Sequence, residues 1–206
     1  KLNPNISSPV SIPFYGEIIT ARWGYEALAV KQFTGNRFDK PFYLYEKGKS
    51  EAQYTGSFLC SHLIGKIDGA KNDLVNNPGS ESLSYDLKII RQEVGKLLIQ
   101  FPDSSYTYSA SLVPGQVTPE ILDATRKLIE RIRRHNNSVR LPFFEGKIKA
   151  IEERIKKEGG DDNFSRLRER YSNDKLNEFV RNRNETDKII EYRGMFIQKM
   201  DPIFKD

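Results

Sequence analysis

The sequence predicts an all-α protein, a helical bundle of about six or seven helices. Apolar residues recur at steps of three and four along most of the chain after Ser50. Residues that start and stop helices stand at the ends of those runs. One candidate strand, Ser105–Ala110, has no partner in the sequence.

The first 46 residues differ from the rest. They hold Trp23, Pro9, Pro13 and Pro41, and eight Phe or Tyr residues between Phe14 and Tyr45. A helix is predicted over Gly16–Phe33, where Ile18, Ile19, Trp23, Ala27, Leu28 and Val30 stand among few charges. Its apolar side chains lie nearly all round, which suits burial on several sides or a place at a membrane boundary. Arg22 and Glu26, four apart, are spaced to pair. Gly35 and Asn36 end the helix, and Lys40–Gly48 reads as an extended aromatic linker because Pro41 and Gly48 punctuate it. The division into residues 1–46 and a helical domain over 47–206 follows from this change of character.

Ser50 and Gln53 have capping-box spacing, and Leu59, Leu63, Ile67, Ala70 and Leu74 then recur at helical steps. Asn77-Pro78-Gly79 breaks the run. Leu83, Leu87, Ile90, Val94, Leu97 and Phe101 form the most regular stripe in the sequence. A Ser-, Tyr-, Pro- and Gly-containing loop follows from Pro102 to Gln116. Thr118-Pro119-Glu120 starts the next helix, with an N-cap, a proline at the first position and an acid at the positive dipole end. Ile121, Leu122, Leu128, Ile129 and Ile132 give its apolar face. Pro142 is expected to interrupt it before a second stripe, Phe144, Ile148, Ile151 and Ile155, which runs to Gly159-Gly160. A short helix carries Phe164, Leu167 and Tyr171, with Asn163 as its cap. Asn173-Asp174 starts a last helix with Leu176, Phe179 and Val180, which Arg181–Lys188 bends or faces to solvent and Ile189, Ile190, Phe196, Ile197 and Met200 complete.

Composition limits the function. In 206 residues, Lys and Arg total 33 against 28 acids, and hydrophobic residues make up 37%. Mean hydropathy is −0.62. No run approaches the roughly 18 apolar residues of a spanning helix. The net charge of +5 permits an anionic partner, but the two signs interleave as on a solvated helical surface. The single cysteine, Cys60, excludes a disulfide framework. Opening at Lys1, with no apolar leader, the chain is expected to be a piece of a longer polypeptide.

No catalytic constellation emerges. Cys60 and His62 are two apart and face different sides of a helix. His62 and His135 are the only histidines, and His135 has no carboxylates at ligand spacing. Gly65-Lys66 and Gly146-Lys147 lack the upstream glycine and the following Ser or Thr of a phosphate loop. Glu152-Glu153 and Asp161-Asp162 read as surface and loop. The basic groups Arg126, Lys127, Arg131, Arg133, Arg134 and Arg140, and Arg166, Arg168 and Arg170, define the alternative reading, a nucleic-acid-binding module. Acids interrupt both groups and aromatics are not interleaved with them, so nucleic acid is not the expected partner.

The run Arg22-Trp23-Gly24-Tyr25-Glu26-Ala27-Leu28, then Val30, Gln32, Phe33, Phe38 and Pro41-Phe42, resembles a stretch of the ABCG-type ABC transporters. There, Arg, an aromatic, a small residue, an aromatic, Glu, a small residue and Leu follow the fifth transmembrane helix and lead into the extracytoplasmic loop before the sixth. Lys31-Gln32 departs from the family's Asn-Glu before the Phe. Asn184, Ile189-Ile190-Glu191-Tyr192 and Ile197-Gln198-Lys199-Met200-Asp201-Pro202-Ile203 are similar to the end of the enlarged loop in the Bacteroidetes members.

The resemblance implies an extracytoplasmic domain on the periplasmic side of the inner membrane, not an enzyme itself, with residues 1–46 as a juxtamembrane segment. It implies no cofactor or metal in this chain, with ATP and Mg held by a nucleotide-binding domain elsewhere in the parent polypeptide. The implied partners are the parent's membrane helices and a second transporter subunit. Arg22 and Glu26 would fix the first helix by pairing; Trp23, Tyr25 and Phe33 would pack it against membrane helices or the domain body, with Leu28 a further residue of the membrane boundary. A structural adaptor of another membrane protein differs only in what flanks the chain.

Overall fold

The computed structural model describes residues 20–181 and 187–199. It is an all-α helical protein with one small hairpin. Among the described residues the helices are α1 (Thr20–Gly35), α2 (Tyr43–Gln53), α3 (Cys60–Asn76), α4 (Glu81–Gln100), α5 (Pro119–Glu158), α6 (Asp161–Tyr171) and α7 (Asp174–Arg181). Strands β1 (Ile189–Tyr192) and β2 (Met195–Gln198) close the order. The expectations on residues 1–19, on Asn184 and on Met200–Ile203, and that on the Phe179 side chain, lie outside the described residues.

The chain forms two compact units: residues 1–46 with 146–183, and 47–145 with 184–206. The second unit holds the main core. Leu63, Ile67 and Ala70 of α3, Leu83, Leu87, Ile90, Val94 and Leu97 of α4, and Leu122, Leu128, Ile129 and Ile132 of α5 are buried together. These are the stripes read from the sequence. Ser80 caps α4, its hydroxyl accepting from the Leu83 N–H at 3.1 Å. The loop before α5 is pinned by Tyr106, whose hydroxyl lies 2.8 Å from the fully buried Thr125 hydroxyl. Thr125 in turn donates to the Ile121 carbonyl at 2.7 Å.

In the first unit, Phe42 is the one buried residue among those described. Phe38 packs on it edge-on, with ring centroids 5.8 Å apart, and meets Phe164 at 5.1 Å. α1 ends where its residues foretell: the Asn36 side chain donates to the Gln32 carbonyl and accepts from the backbone N–H groups of Phe38 and Asp39. Asn173 starts α7 by accepting from the Leu176 N–H at 3.0 Å.

Five local expectations are corrected. Lys40–Gly48 is not extended: Lys40–Phe42 is a 3-10 turn and α2 begins at Tyr43. Pro41 stands at the start of that turn, where its missing N–H costs nothing. Ser50 consequently lies inside a helix and caps none. A π-helical turn, Tyr54–Leu59, joins α2 to α3. Ser105–Ala110 forms no strand; a 3-10 turn spans Tyr108–Ser111. Pro142 does not end α5, which runs through it with the ring exposed to solvent. Asn163 does not cap α6; Gly160 precedes the helix and the Asn163 amide donates back to the Glu158 carbonyl at 2.9 Å.

The largest correction concerns Ile189–Ile197, which forms a β-hairpin in place of a helix. β1 and β2 are antiparallel, with Ile190 opposite Ile197 and Tyr192 opposite Met195. Arg193 and Gly194 turn the chain with φ of 52° and 79°. Positive φ at both central positions is the two-residue turn that fits strand twist. Alternation then buries Ile189 and Phe196 on one side.

Candidate functional surface

α1 carries the residues that the sequence singles out. The Arg22 guanidinium donates to the Glu26 carboxylate at 2.9 Å and also stands 5.1 Å from the Trp23 ring centroid. The pair is one helical turn apart and partly exposed, so it contributes a few tenths of a kcal/mol to the helix, ~0.3–0.5. It sets the Trp23 side chain beside a cation.

No residue of α1 is buried. Trp23, Tyr25, Leu28 and Val30 are between 50% and 71% exposed, while Phe33 is half-buried. At about 100° per residue, Trp23 and Val30 share one side and Tyr25 and Leu28 point nearly opposite. α1 therefore has no single apolar seam. Full burial of such side chains is worth roughly 1.5–3 kcal/mol each, so their exposure forgoes several kcal/mol of stabilisation. α1 thus presents several large apolar side chains to its surroundings. Among the described residues no helix is long and apolar enough to cross a membrane.

The second unit answers the questions about chemistry. Cys60 is fully buried, and burial pushes its thiol up to about 12 against the opposing charge of Arg133. A thiol so placed is a core residue, not a nucleophile. His62 is exposed and its Nδ1 donates to the Phe58 carbonyl at 2.9 Å, with the ring edge-on to Phe196 at 6.0 Å. His135 stands edge-on to Phe101 at 5.8 Å. Among the described residues no group of three or more His, Cys, Asp or Glu side chains gathers to hold a metal.

Three members of the basic groups stand in ion pairs. Arg126 reaches Asp68 and Glu130, Arg131 reaches Asp103, and Arg168 reaches Asp174 at 3.3 Å. Partly buried Asp103 titrates below its usual range, held there by hydrogen bonds from Ser105 and Arg131.

Sequence reasoning missed the buried acids. Asp86 and Glu93 sit seven apart within the apolar stripe of α4, and both are buried. Lys66 lies 2.8 Å from Asp86 and 2.9 Å from Glu191 of β1, and Lys96 lies 2.6 Å from Glu93. The signal was available: in a stripe of Leu83, Leu87, Ile90, Val94 and Leu97, residues 86 and 93 share the helix face. The ammonium of Lys66 also stands 5.8 Å from the Tyr85 ring, whose hydroxyl accepts from the Gly194 N–H at 3.1 Å. These contacts fasten the hairpin to α3 and α4. Near Glu93, burial raises the Tyr54 phenol above its ordinary range, and the Glu93 charge adds to the effect.

No family model matches the chain, and no curated protein or solved structure matches it either.

Proposed function

We propose that this chain is the extracytoplasmic domain of an ABCG-like, ATP-driven membrane transporter, set between its last two membrane helices. It works on the periplasmic side of the inner membrane, without catalysis of its own, shaping the outer exit or contacting a partner subunit. The observation that carries the reading is α1: Trp23, Tyr25, Leu28 and Val30 are exposed on different sides of a helix that buries none of its residues. Such a helix is economical only where apolar surroundings are supplied from outside the chain. Trp23 and Tyr25 are the residue types that favour the boundary between lipid and water. In this role the Arg22–Glu26 pair stiffens the helix, and Phe33 with Leu28 packs it against the parent's membrane helices. ATP and Mg belong to the parent's nucleotide-binding domain.

The reading frame on both sides of residues 1 and 206 tests this proposal. The expectation is an apolar span of about 20 residues on each side and a Gly-x-x-x-x-Gly-Lys-Ser/Thr loop upstream. A frame lacking both spans overturns it. Stoichiometric micromolar binding of labelled ATP to this chain alone would contradict the non-catalytic assignment.

A further inference from the structure

A second feature lies wholly in the second unit and owes nothing to α1. Lys49 of α2 and Ser57 of the π-helical turn face Asn137, Arg140, Leu141 and Phe144 of α5 across a cleft of about 560 Å³. The four α5 residues follow one helix face at steps of three, one and three. Two glycines bring the elements together. A Cβ at Gly48 would run into the Phe143 ring, and one at Gly56 would lie 2.7 Å from the Asn137 Oδ1 and 3.1 Å from the Asn136 Cβ. The cleft flanks these two contacts. The extra residue that a π-helical turn inserts shifts the side chains that follow it, and such turns recur at functional sites.

The chemistry of the lining is one-sided. It contains two cations, a hydroxyl, a carboxamide and two apolar side chains, and no carboxylate. Neither Lys49 nor Arg140 has an acidic partner among the described residues, although Lys47, Lys66, Lys71, Lys96, Arg126, Arg131 and Arg154 each do. The Lys49 ammonium instead lies 5.2 Å from the Phe144 ring centroid. Leu141 and Phe144 remain 59% and 45% exposed beside these charges.

We propose that this cleft binds a small soluble amphipathic anion, a carboxylate or phosphate monoester bearing an aryl or short alkyl group. Arg140 takes the oxyanion with its planar fork and Lys49 adds a second charge. The Ser57 hydroxyl and Asn137 amide supply neutral donors, and Phe144 and Leu141 receive the apolar part. A few polar groups on an apolar wall are the usual make-up of a ligand site.

Titration of the isotope-labelled chain with phenyl phosphate, followed by NMR, tests this. Saturable shifts are expected at Ser57, Asn137 and Arg140. Inorganic phosphate and phenol, each half of the probe, should bind at least about tenfold more weakly. Arg140→Gln and Phe144→Ala alter exposed side chains, so the rest of the spectrum should persist while affinity falls about tenfold or more. Absence of saturable shifts, equal binding of either half-probe, or unchanged affinity in Arg140→Gln overturns the proposal. So does a response of these residues to phosphatidylglycerol vesicles without one to phenyl phosphate, which would indicate a membrane contact. None of these outcomes depends on what flanks the chain.

Discussion

The ammonium group of Lys66 on α3 lies 2.8 Å from the buried carboxylate of Asp86 on α4. The same ammonium bonds Glu191 at 2.9 Å, so one cation ties two helices to the hairpin. Burial opposes the Lys66 charge, but the hydrogen bonds and charges of Asp86 and Glu191 outweigh it and hold its pKa above the ordinary lysine range.

Removing that cation leaves Asp86 without its partner. Lys66→Met is expected to lower unfolding stability by about 2 kcal/mol, because a charged group in a buried site loses its hydrogen bond. Urea denaturation checks this as a shift in midpoint at constant slope. The double variant Lys66→Met with Asp86→Asn should recover part of the loss. Strictly additive losses would show that the two residues do not interact.

Cys60 should resist thiol reagents in the folded protein and react on unfolding, since its thiol is buried and its acidity suppressed. The sign of the pH effect follows. A group whose folded pKa lies above its unfolded one stabilises the fold fully below the unfolded value, and that contribution is lost as pH rises through the folded value. For Cys60 the window runs from about pH 9 to about 12. Lys66 and Tyr54, also raised, act in the same direction. Thermal melts from pH 8 upward should show falling stability, and Cys60→Ala should flatten part of the slope. An identical slope in the variant would contradict the assignment.

Glycines divide by their surroundings. A Cβ at Gly65 or Gly95 meets nothing within 4 Å, and both lie inside helices. Alanine at each should raise stability by about 0.5–1 kcal/mol. Gly48→Ala forces the Phe143 ring aside and should lower it. Melting temperatures of the three variants settle the ordering.

Gly194 holds a φ of 79° at the hairpin turn. Gly194→Ala should therefore cost about 1–2 kcal/mol through backbone strain. Hydrogen exchange would report it, with protection of β1 and β2 falling more than that of α4.

The stripes of α3, α4 and the first half of α5 were legible because burial there follows a strict helical period. The hairpin was not. Ile189-Ile190 and Phe196-Ile197 offer apolar residues at spacings that also suit a helix, and only the turn geometry at Arg193-Gly194 separates the two readings. Pro41 and Gly48 were misleading for related reasons. Proline is compatible with a first helical turn, and Gly48 serves close packing against Phe143 within a helix rather than ending one. The acids Asp86 and Glu93 escaped notice because their lysine partners, Lys66 and Lys96, stand outside the α4 stripe that hides them.

Trp23 is the only tryptophan, so its fluorescence reports α1 alone. The decisive measurement is its emission in buffer and with vesicles containing phosphatidylglycerol, alongside access of a soluble quencher. A helix meant for the membrane boundary should show solvent-exposed emission in buffer, then a blue shift and loss of quenching with vesicles. Emission and quenching unchanged by vesicles would contradict the boundary role of α1.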